Sequence, residues 1–291
     1  MDTQASCRKT HGAQAGAPRH WSWYARNRRQ SAEAKSLPQR DSQRSVEAAA
    51  LVKAGVGFST EQLVEFVRER FRGLASAANA APMAAYMKTA TPFYGIKKPD
   101  RMPVYREMKK RFTPSSRREY EAGARALWRL AYREEKYAAI EFARQSEAFI
   151  TIQSFPLYQR LVREGAWWDL VDDVAIRLVG RAQLKQRAKV RPVMRRWIDD
   201  EDLWVRRTAL LSQIGHKQRT DQRQLFGHCL RRAGETEFFI RKAIGWALRD
   251  YSYTAPEAVR DFLVANRGRL SGLSFREGAK QLVRAGFMDA G

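Results

Sequence analysis

From residue 46 onward, apolar residues recur at helical spacing in one segment after another. No segment shows the two-residue alternation of a β-strand between turn signals. The first pattern begins with Ser59 and Gln62, which resemble a capping box, and prolines at 99, 156, 192 and 256 lie at or near predicted helix starts. The predicted helices cover about 59–74, 99–112, 117–131, 133–148, 154–164, 167–180, 191–199, 202–216, 221–232, 236–251, 256–268 and 274–285. We therefore expect an all-α fold.

The predicted helices are short, and helix pairs recur about every 35–45 residues, a period typical of HEAT-type repeats. Because sequence identity between the units is weak, this interpretation depends on helix spacing alone. Stacked helix pairs form an α-solenoid with one concave face. We expect residues 46–291 to form one such domain. Residues 1–45 are rich in Arg, Gln, Ser, Ala and Gly without periodicity, which predicts a disordered basic extension.

The chain carries 54 Lys and Arg against 31 Asp and Glu, a formal net charge of +23. Residues 1–45 account for +6 of this charge, so the helical part carries +17. Such an excess favours a polyanionic partner, either nucleic acid or an anionic membrane surface, although a general role in solubility is the alternative. Attachment to a membrane through residues 1–45 has little support, because that segment lacks an amphipathic period.

Cysteine and histidine usage argues against a disulfide framework and against a metal site. The two cysteines, Cys7 and Cys229, form no CxxC pair, which fits a reducing compartment. The four histidines show no metal-ligand spacing. No apolar run reaches about 18 residues, and the first residues lack the apolar stretch of a secretory signal. We expect a cytoplasmic protein without metal or cofactor.

The segment WWDLVDD at 167–173 contains three carboxylates. Residues four apart on a helix share a face, so Asp169 and Asp173 align with Arg177. This face is predicted to be a solvated structural stripe with an Asp173–Arg177 pair.

Asp172 lies on a different face of the same helix, with Trp168 one turn earlier and Val179 two turns later. Burying a carboxylate on such an apolar, aromatic face is costly unless something requires it. Two interpretations stay open. Asp172 is a functional carboxylate, or it caps a neighbouring helix or pairs with an arginine inside the solenoid.

The segment FFIRKAIGWALRDY at 238–251 separates an apolar face from a mixed one. Trp246 lies on the mixed face, with Phe239, Lys242 and Arg249. A large aromatic among basic residues favours a contact surface, and packing of Trp246 against the next repeat is the alternative. The predicted core face contains Ile240, Ile244, Ala247 and Leu248.

Arg206 and Arg207 are adjacent in the segment DLWVRRTALL at 202–211. Because successive helical side chains point in different directions, at least one of them is expected to reach the concave groove. The alternative for either arginine is an ordinary surface charge.

Four segments together resemble the DNA alkylation repair family, the AlkD-type alkylpurine DNA glycosylases, in order and spacing. The resemblance extends over about residues 59–285 and implies a HEAT-like solenoid with a concave, basic DNA-binding cleft. The matching segments are AAYMKTATPFYGIKKPDR at 84–101, WWDLVDD at 167–173, DLWVRRTALL at 202–211 and EFFIRKAIGWALRDYS at 237–252.

The resemblance implies roles for individual residues. Asp172 corresponds to the catalytic carboxylate, and Trp168 and Trp246 correspond to aromatics that line the lesion site. Arg207 corresponds to an arginine that contacts the DNA backbone, and Tyr86 to a tyrosine in the cleft. Further basic residues in or near these segments are expected to bind phosphates, namely Lys98, Arg101, Lys217, Lys242 and Arg249.

The expected activity is hydrolysis of the N-glycosidic bond of positively charged N3- or N7-alkylated purines in duplex DNA. The enzyme is expected to act as a monomer, near the nucleoid, without a lyase step. One alternative is a non-catalytic HEAT-repeat scaffold that binds nucleic acid, since basic charge and helical repeats support it equally. Another is a protein-binding solenoid whose charge serves an acidic partner.

Overall fold

The computed structural model describes residues 58–289, which are helical and contain no strand. The predictions for residues 1–45, for the domain start at residue 46 and for Cys7 lie outside this range. In the first half, the helices are α1 (Thr60–Gly73), α2 (Ala77–Met87), α3 (Lys98–Arg111), α4 (Arg117–Trp128), α5 (Arg133–Gln145) and α6 (Phe155–Gly165). Helix α7 runs as Trp168–Val174, a π-helical stretch Ala175–Val179, and Gly180–Lys185. The remaining helices are α8 (Arg187–Trp197), α9 (Leu203–Leu211), α10 (Gln222–Arg231), α11 (Phe238–Ser252), α12 (Pro256–Ala265) and α13 (Gly272–Arg284).

Most predicted helix starts are confirmed to within a few residues, and side-chain caps fix several of them. The Ser59 hydroxyl accepts a hydrogen bond from the backbone N–H of Gln62, as the predicted capping box requires. The Asp202 carboxylate accepts one from Trp204 at 2.7 Å and so fixes the start of α9. Each cap satisfies backbone donors that have no partner within the helix.

Two predictions about helices were wrong. Helix α2 was missed because its sequence, AANAAPMAAYM, has no alternation of polar and apolar faces. Pro192 was placed near a helix start, but it lies inside α8, which begins earlier at Arg187. An internal proline destabilises a helix by about 3 kcal/mol or more. In α8, burial of Val190, Met194 and Trp197 offsets that cost.

Helix α7 continues beyond its predicted end at residue 180 through its π-helical stretch, which follows Asp172 within one turn. Such stretches occur frequently at functional sites. Gly180 then packs closely against α9, because a Cβ added there would lie 2.4 Å from the backbone oxygen of Ser212.

The odd-numbered helices from α3 onward contact one another in chain order, and we call α3, α5, α7, α9, α11 and α13 the odd-helix row. Each even-numbered helix from α4 to α12 packs against the odd-numbered helix that follows it. The most extensive contact joins α11 to α13. This pattern confirms that the chain is built from helix pairs.

Hydrogen bonds between neighbouring pairs reveal a regular period. Many join residues that are 35 to 37 positions apart, which is the expected spacing of HEAT-type units. Examples are Trp128 to Glu164, Arg163 to Asp200, Arg207 to Asp172, Gly215 to Asp250 and His216 to Gly180. These hydrogen bonds join neighbouring helix pairs at a similar separation in sequence.

None of the helices between residues 58 and 289 combines the length and the apolar character that a membrane span requires. The same part of the chain contains no cluster of three or more His, Cys, Asp or Glu side chains arranged to hold a metal ion.

Candidate functional site

An ion pair between α7 and α9 lies at the centre of the site. Arg207 donates from Nε to Oδ1 of Asp172 at 2.7 Å and from Nη2 to Oδ2 at 2.8 Å. Its Nη1 donates to the backbone oxygen of Phe239 at 2.6 Å, which brings in the first turn of α11. The Arg207 side chain is fully buried, and Asp172 is 4% exposed. One guanidinium thus connects three helices of the odd-helix row.

Pairing with an arginine was one of the interpretations left open for Asp172, and the structure shows this pairing. Arg207 is the arginine that turns inward. The neighbouring Arg206 instead binds Glu235, with its Nε 2.9 Å from Oε1. The expectation that adjacent arginines point in different directions is confirmed.

The environment of Asp172 raises the pKa of its carboxyl group. Burial raises the pKa of Asp172, and the charge and hydrogen bonds of Arg207 only partly oppose this effect. The negative charges of Asp173 and Asp169 raise it further. The carboxyl group therefore binds its proton at a higher pH than an ordinary aspartate does.

Aromatic side chains surround the start of α7. Trp168 is partly exposed and lies one helical turn before Asp172, on the same face. The preceding Trp167 packs edge-on against Phe239, with ring centroids 5.4 Å apart. Trp204 lies 4.9 Å from Phe239 between centroids. These three rings stand at the starts of α7, α9 and α11 and support the helix ends that carry Trp168 and Arg207.

Trp246 lies on α11, two turns from Phe239 on the same face. Its exposed fraction is 8%, so most of the ring is covered by the protein, as the packing alternative predicted. The predicted core residues Ile240, Ile244 and Leu248 are buried, which is confirmed.

Glu277 on α13 binds the basic residues beside Trp246. Its carboxylate lies 2.7 Å from Nζ of Lys242 and also binds Arg249 and Lys280. Burial opposes ionisation, but the hydrogen bonds from Lys242 and Lys280 outweigh it and lower the pKa of Glu277 to about 2. Lys242 is largely buried in this pair. Sequence analysis missed Glu277, because no local pattern links it to residues 28 or more positions away.

The carboxylates on either side of Asp172 are held differently from each other. The predicted Asp173–Arg177 pair is confirmed, with Nε 2.9 Å from Oδ1. The prediction that Asp169 belongs to a solvated stripe was wrong, since its side chain is only 10% exposed. Arg133 binds both oxygens of Asp169, and the Tyr137 hydroxyl donates to it. These partners come from α5, so the sequence around Asp169 could not reveal them.

Two basic residues of α3 lie close to the neighbouring helices of the odd-helix row. The Arg101 guanidinium lies 4.4 Å from the ring centroid of Tyr137, a cation–π contact, and the side chain is largely buried. Burial, followed by the charge of Arg177, lowers the pKa of Lys98 to about 8.

Tyr86 and Lys217 lie at the periphery of the described region. Tyr86 is 49% exposed near the end of α2. Lys217 is exposed and follows His216, which bonds to the backbone oxygen of Gly180. Gly180 lies eight residues beyond Asp172, or roughly 12 Å along the axis of α7. Lys217 is therefore at the opposite end of α7 from Trp168.

A family model described as DNA alkylation repair enzyme matches residues 67–282, from α1 to α13. The chain belongs to the DNA alkylation repair family. Among solved structures, it resembles a predicted DNA alkylation repair enzyme from Enterococcus faecalis, with 31% sequence identity and a TM-score of 0.67. That match covers 72% of this chain and 96% of the other. A search of curated proteins finds no match.

The matched range of this DNA alkylation repair protein includes the complete Asp172–Arg207 pair and both tryptophans predicted beside it. It excludes residues 1–66, so the basic segment 1–45 lies outside the part that the family shares.

Proposed function

We propose that this DNA alkylation repair enzyme is a monofunctional DNA glycosylase for purines alkylated at N3 or N7. We further propose that its helix pairs stack into an α-solenoid with the odd-helix row facing duplex DNA. The observation that supports the activity best is the Asp172 carboxylate, fixed at both oxygens by Arg207 and one turn from Trp168.

The chemistry of the substrate explains why one carboxylate suffices. A purine alkylated at N3 or N7 is already positively charged, so it leaves as a neutral base without protonation by a general acid. The sugar then becomes an oxocarbenium-like cation that needs electrostatic stabilisation and a water molecule. A fixed carboxylate stabilises that cation, and it orients a water molecule from solvent and accepts its proton as the water attacks the sugar carbon, as in glycoside hydrolysis.

The contact with Arg207 is compatible with this role for Asp172. A carboxylate has about four lone-pair sites, and the two hydrogen bonds from Arg207 use two of them. The remaining sites can accept a hydrogen bond from the attacking water. Arg207 therefore acts as a positioning residue that fixes the carboxylate, and its fully buried side chain is not placed to reach a DNA phosphate.

Trp168 supplies a preference for the charged lesion, and Trp246 has a supporting role. Indole faces attract cations by about 0.5–2 kcal/mol, depending on desolvation. Trp168 is the partly exposed member and so the one placed to meet the base. Trp246, which is mostly covered, supports the neighbouring wall of the site.

Phosphate contacts are proposed for four residues: Tyr86, Lys98, Arg101 and Lys217. Lys242 and Arg249 were also expected to bind phosphates, but both bind Glu277. We propose that this pair anchors α11 to α13. Binding through phosphates makes affinity fall steeply with salt and carries no sequence preference.

The experiment is a base-release assay on duplexes that each carry one defined lesion. Asp172→Asn is expected to abolish most base release while keeping the affinity for DNA. The matched control is Asp261→Asn, since Asp261 is exposed on α12 and should release bases like the unaltered protein. Loss of DNA binding together with release in Asp172→Asn would assign Asp172 a structural role.

A non-catalytic nucleic-acid scaffold is the second candidate, and the near-complete burial of Asp172 favours it. It predicts salt-dependent DNA binding with base release at background rate in both the unaltered protein and Asp172→Asn. The same assay therefore decides between the two functions.

A monofunctional enzyme should form no covalent bond with its abasic product. Borohydride added during base release traps an imine between a lysine and the sugar, and we expect no trapped complex. Lys98 is the residue to test if one forms, because its lowered pKa of about 8 leaves more of its amine unprotonated. A trapped complex that disappears in Lys98→Arg would overturn the monofunctional assignment.

A further inference from the structure

A small polar cavity opens where the end of α2, the start of α5 and the α6–α7 junction meet. We propose that this cavity binds one phosphate group of the DNA strand on which the enzyme acts. The proposal rests on the proposed function for the source of that phosphate. The polar residues that line the cavity are Lys88, Thr89, Thr91, Arg133, Lys136, Glu164 and Trp167.

The size of the cavity suits a small group. Its volume is about 160 Å³. Pockets that bury a whole small molecule usually measure about 300–1,000 Å³. The cavity therefore has room for a phosphate group and a few water molecules but not for a nucleoside.

The charge of the lining favours an anion. Lys88 and Lys136 face one carboxylate, that of Glu164, while the charge of Arg133 is already paired with Asp169. Glu164 already accepts hydrogen bonds from Trp128 Nε1 at 2.9 Å and from Arg160 at 2.6 Å. Its charge is thus turned toward partners outside the cavity, and the cations dominate within it.

Hydrogen-bond donors in the lining are not fully used. The indole Nε1–H of Trp167 is buried and has no partner among residues 58–289. Lys136 donates to the backbone oxygens of Trp128 and Leu130, which uses two of its three protons. The Thr91 hydroxyl accepts a hydrogen bond from Thr89 and can still donate its own proton. An acceptor-only group such as phosphate matches this set.

The lowered pKa and partial burial of Lys136 agree with an anion site. Burial, followed by the charge of Arg133, lowers the pKa of Lys136. Its ammonium group is thus partly desolvated and lies beside another cation, and the carboxylates of Glu135 and Glu164 only partly offset these effects. A bound phosphate would supply further negative charge and raise the pKa again.

The backbone at the cavity is unusual. Among residues 58–289, Lys88 and Ala166 are two of the three non-glycine residues with positive φ, at 49° and 37°. Side chains other than glycine rarely adopt this left-handed region, and such residues concentrate at binding and active sites. In this protein, both lie on the rim of one cavity.

The position of the cavity favours a DNA strand as the source of the phosphate. Lys88 follows Tyr86 by two residues, and Trp167 immediately precedes Trp168. Arg133 links the cavity to the active site, because it binds Asp169 one turn before Asp172. A strand with a lesion at Trp168 would place a nearby phosphate at this cavity.

The first test measures binding to a lesion-containing duplex at several salt concentrations. We expect Lys88→Gln to weaken binding several-fold and to reduce the slope of log affinity against log salt by about one. The matched control is Lys189→Gln, since Lys189 is exposed on α8, away from the odd-helix row. Equal behaviour of the two variants would overturn the proposal.

A scan with single neutral methylphosphonates then locates the phosphate. At one phosphate position, the methylphosphonate should weaken DNA binding by the unaltered protein as much as the Lys88→Gln substitution does. The same methylphosphonate should not weaken DNA binding by Lys88→Gln any further. If no position behaves in this way, the cavity does not bind the strand. Because binding is measured without base release, failure of the proposed glycosylase activity would appear separately.

Trp167→Phe supplies a second variant that removes the indole donor and leaves an aromatic ring to pack against Trp204 and Phe239. In nitrogen-15 NMR spectra, the Trp167 indole signal, identified by its absence in Trp167→Phe, should shift when the duplex is added. Inorganic phosphate serves as the probe for a free anion. A shift with inorganic phosphate but none with DNA would overturn the DNA assignment, and no shift with either would overturn the site.

Discussion

Arg207 binds both carboxylate oxygens of Asp172 and reaches the backbone of Phe239 with its remaining nitrogen. This arrangement fixes a carboxylate in an apolar region where an unpaired one would be strongly disfavoured. It also fixes three helices relative to one another, so the geometry of the proposed catalytic group depends on the packing of the odd-helix row.

The raised pKa of Asp172 predicts an unusual pH profile. The proposed mechanism uses the ionised carboxylate, so single-turnover base release should fall as the pH drops through the pKa of this group. The fall should begin above the usual value of 3.8 for aspartate and approach tenfold per pH unit. Asp172→Asn should give a low and flat profile. A profile for the unaltered protein that is flat down to pH 4 would contradict the assignment.

Trp168 should discriminate between charged and neutral lesions. Replacing it with leucine removes the indole face and its attraction for cations, about 0.5–2 kcal/mol. Base release from a duplex with a cationic N7-alkylguanine should therefore decrease by about 2- to 30-fold. Binding to a duplex with an uncharged analogue of the same shape is the control and should change little. Equal losses for both duplexes would indicate that Trp168 acts only through packing.

Gly245 should be required for the close approach of α11 to α13. A Cβ at this position would lie 2.4 Å from the Cβ of Glu277 and 2.8 Å from the backbone oxygen of Ser274. Gly245→Ala is expected to lower the free energy of unfolding by about 1–3 kcal/mol. Gly227 is the matched control in α10, since no atom lies within 4 Å of a Cβ added there.

Gly227→Ala should be neutral or stabilise the protein by up to about 1 kcal/mol, because alanine is favoured over glycine inside a helix. Chemical denaturation of both variants gives the comparison. Equal stability of Gly245→Ala and Gly227→Ala would show that the two helices can separate without cost.

Glu277 should contribute stability that depends on pH. Its pKa is lowered from 4.5 to about 2 in the folded protein. A carboxyl group with a lowered folded pKa stabilises the fold above its unfolded pKa and loses this contribution as the pH falls toward the folded pKa. The difference in melting temperature between the unaltered protein and Glu277→Gln should therefore shrink between about pH 4.5 and pH 2.

The control for that comparison is Glu257→Gln, because Glu257 is exposed in the first turn of α12. The melting temperature of Glu257→Gln should differ little from that of the unaltered protein over the same pH range. If the melting temperature of Glu277→Gln differed from that of the unaltered protein by the same amount at every pH, the carboxylate charge would contribute nothing to the contact between α11 and α13.

The family motifs singled out Asp172, Trp168 and Arg207 individually without a structure, but they did not predict that Asp172 and Arg207 pair. Asp172 and Trp168 share a face because they are four residues apart on one helix, and Arg207 occupies a matching motif. Helix α2 escaped prediction because an alanine-rich segment has no periodic contrast. Trp246 was placed on a contact surface because its neighbours are basic, and Glu277 from another helix binds those neighbours instead.

The sequence by itself determined that the chain is helical, that its helices recur in pairs, and which residues share each helix face. Local periodicity contains this information, since it depends on residues three to seven positions apart. Only the tertiary structure decided which faces meet, namely that Arg207 and not Arg206 turns toward Asp172, and that Glu277 binds Lys242. These contacts join residues about 35 positions apart, and they depend on side-chain packing between repeats that have little sequence in common.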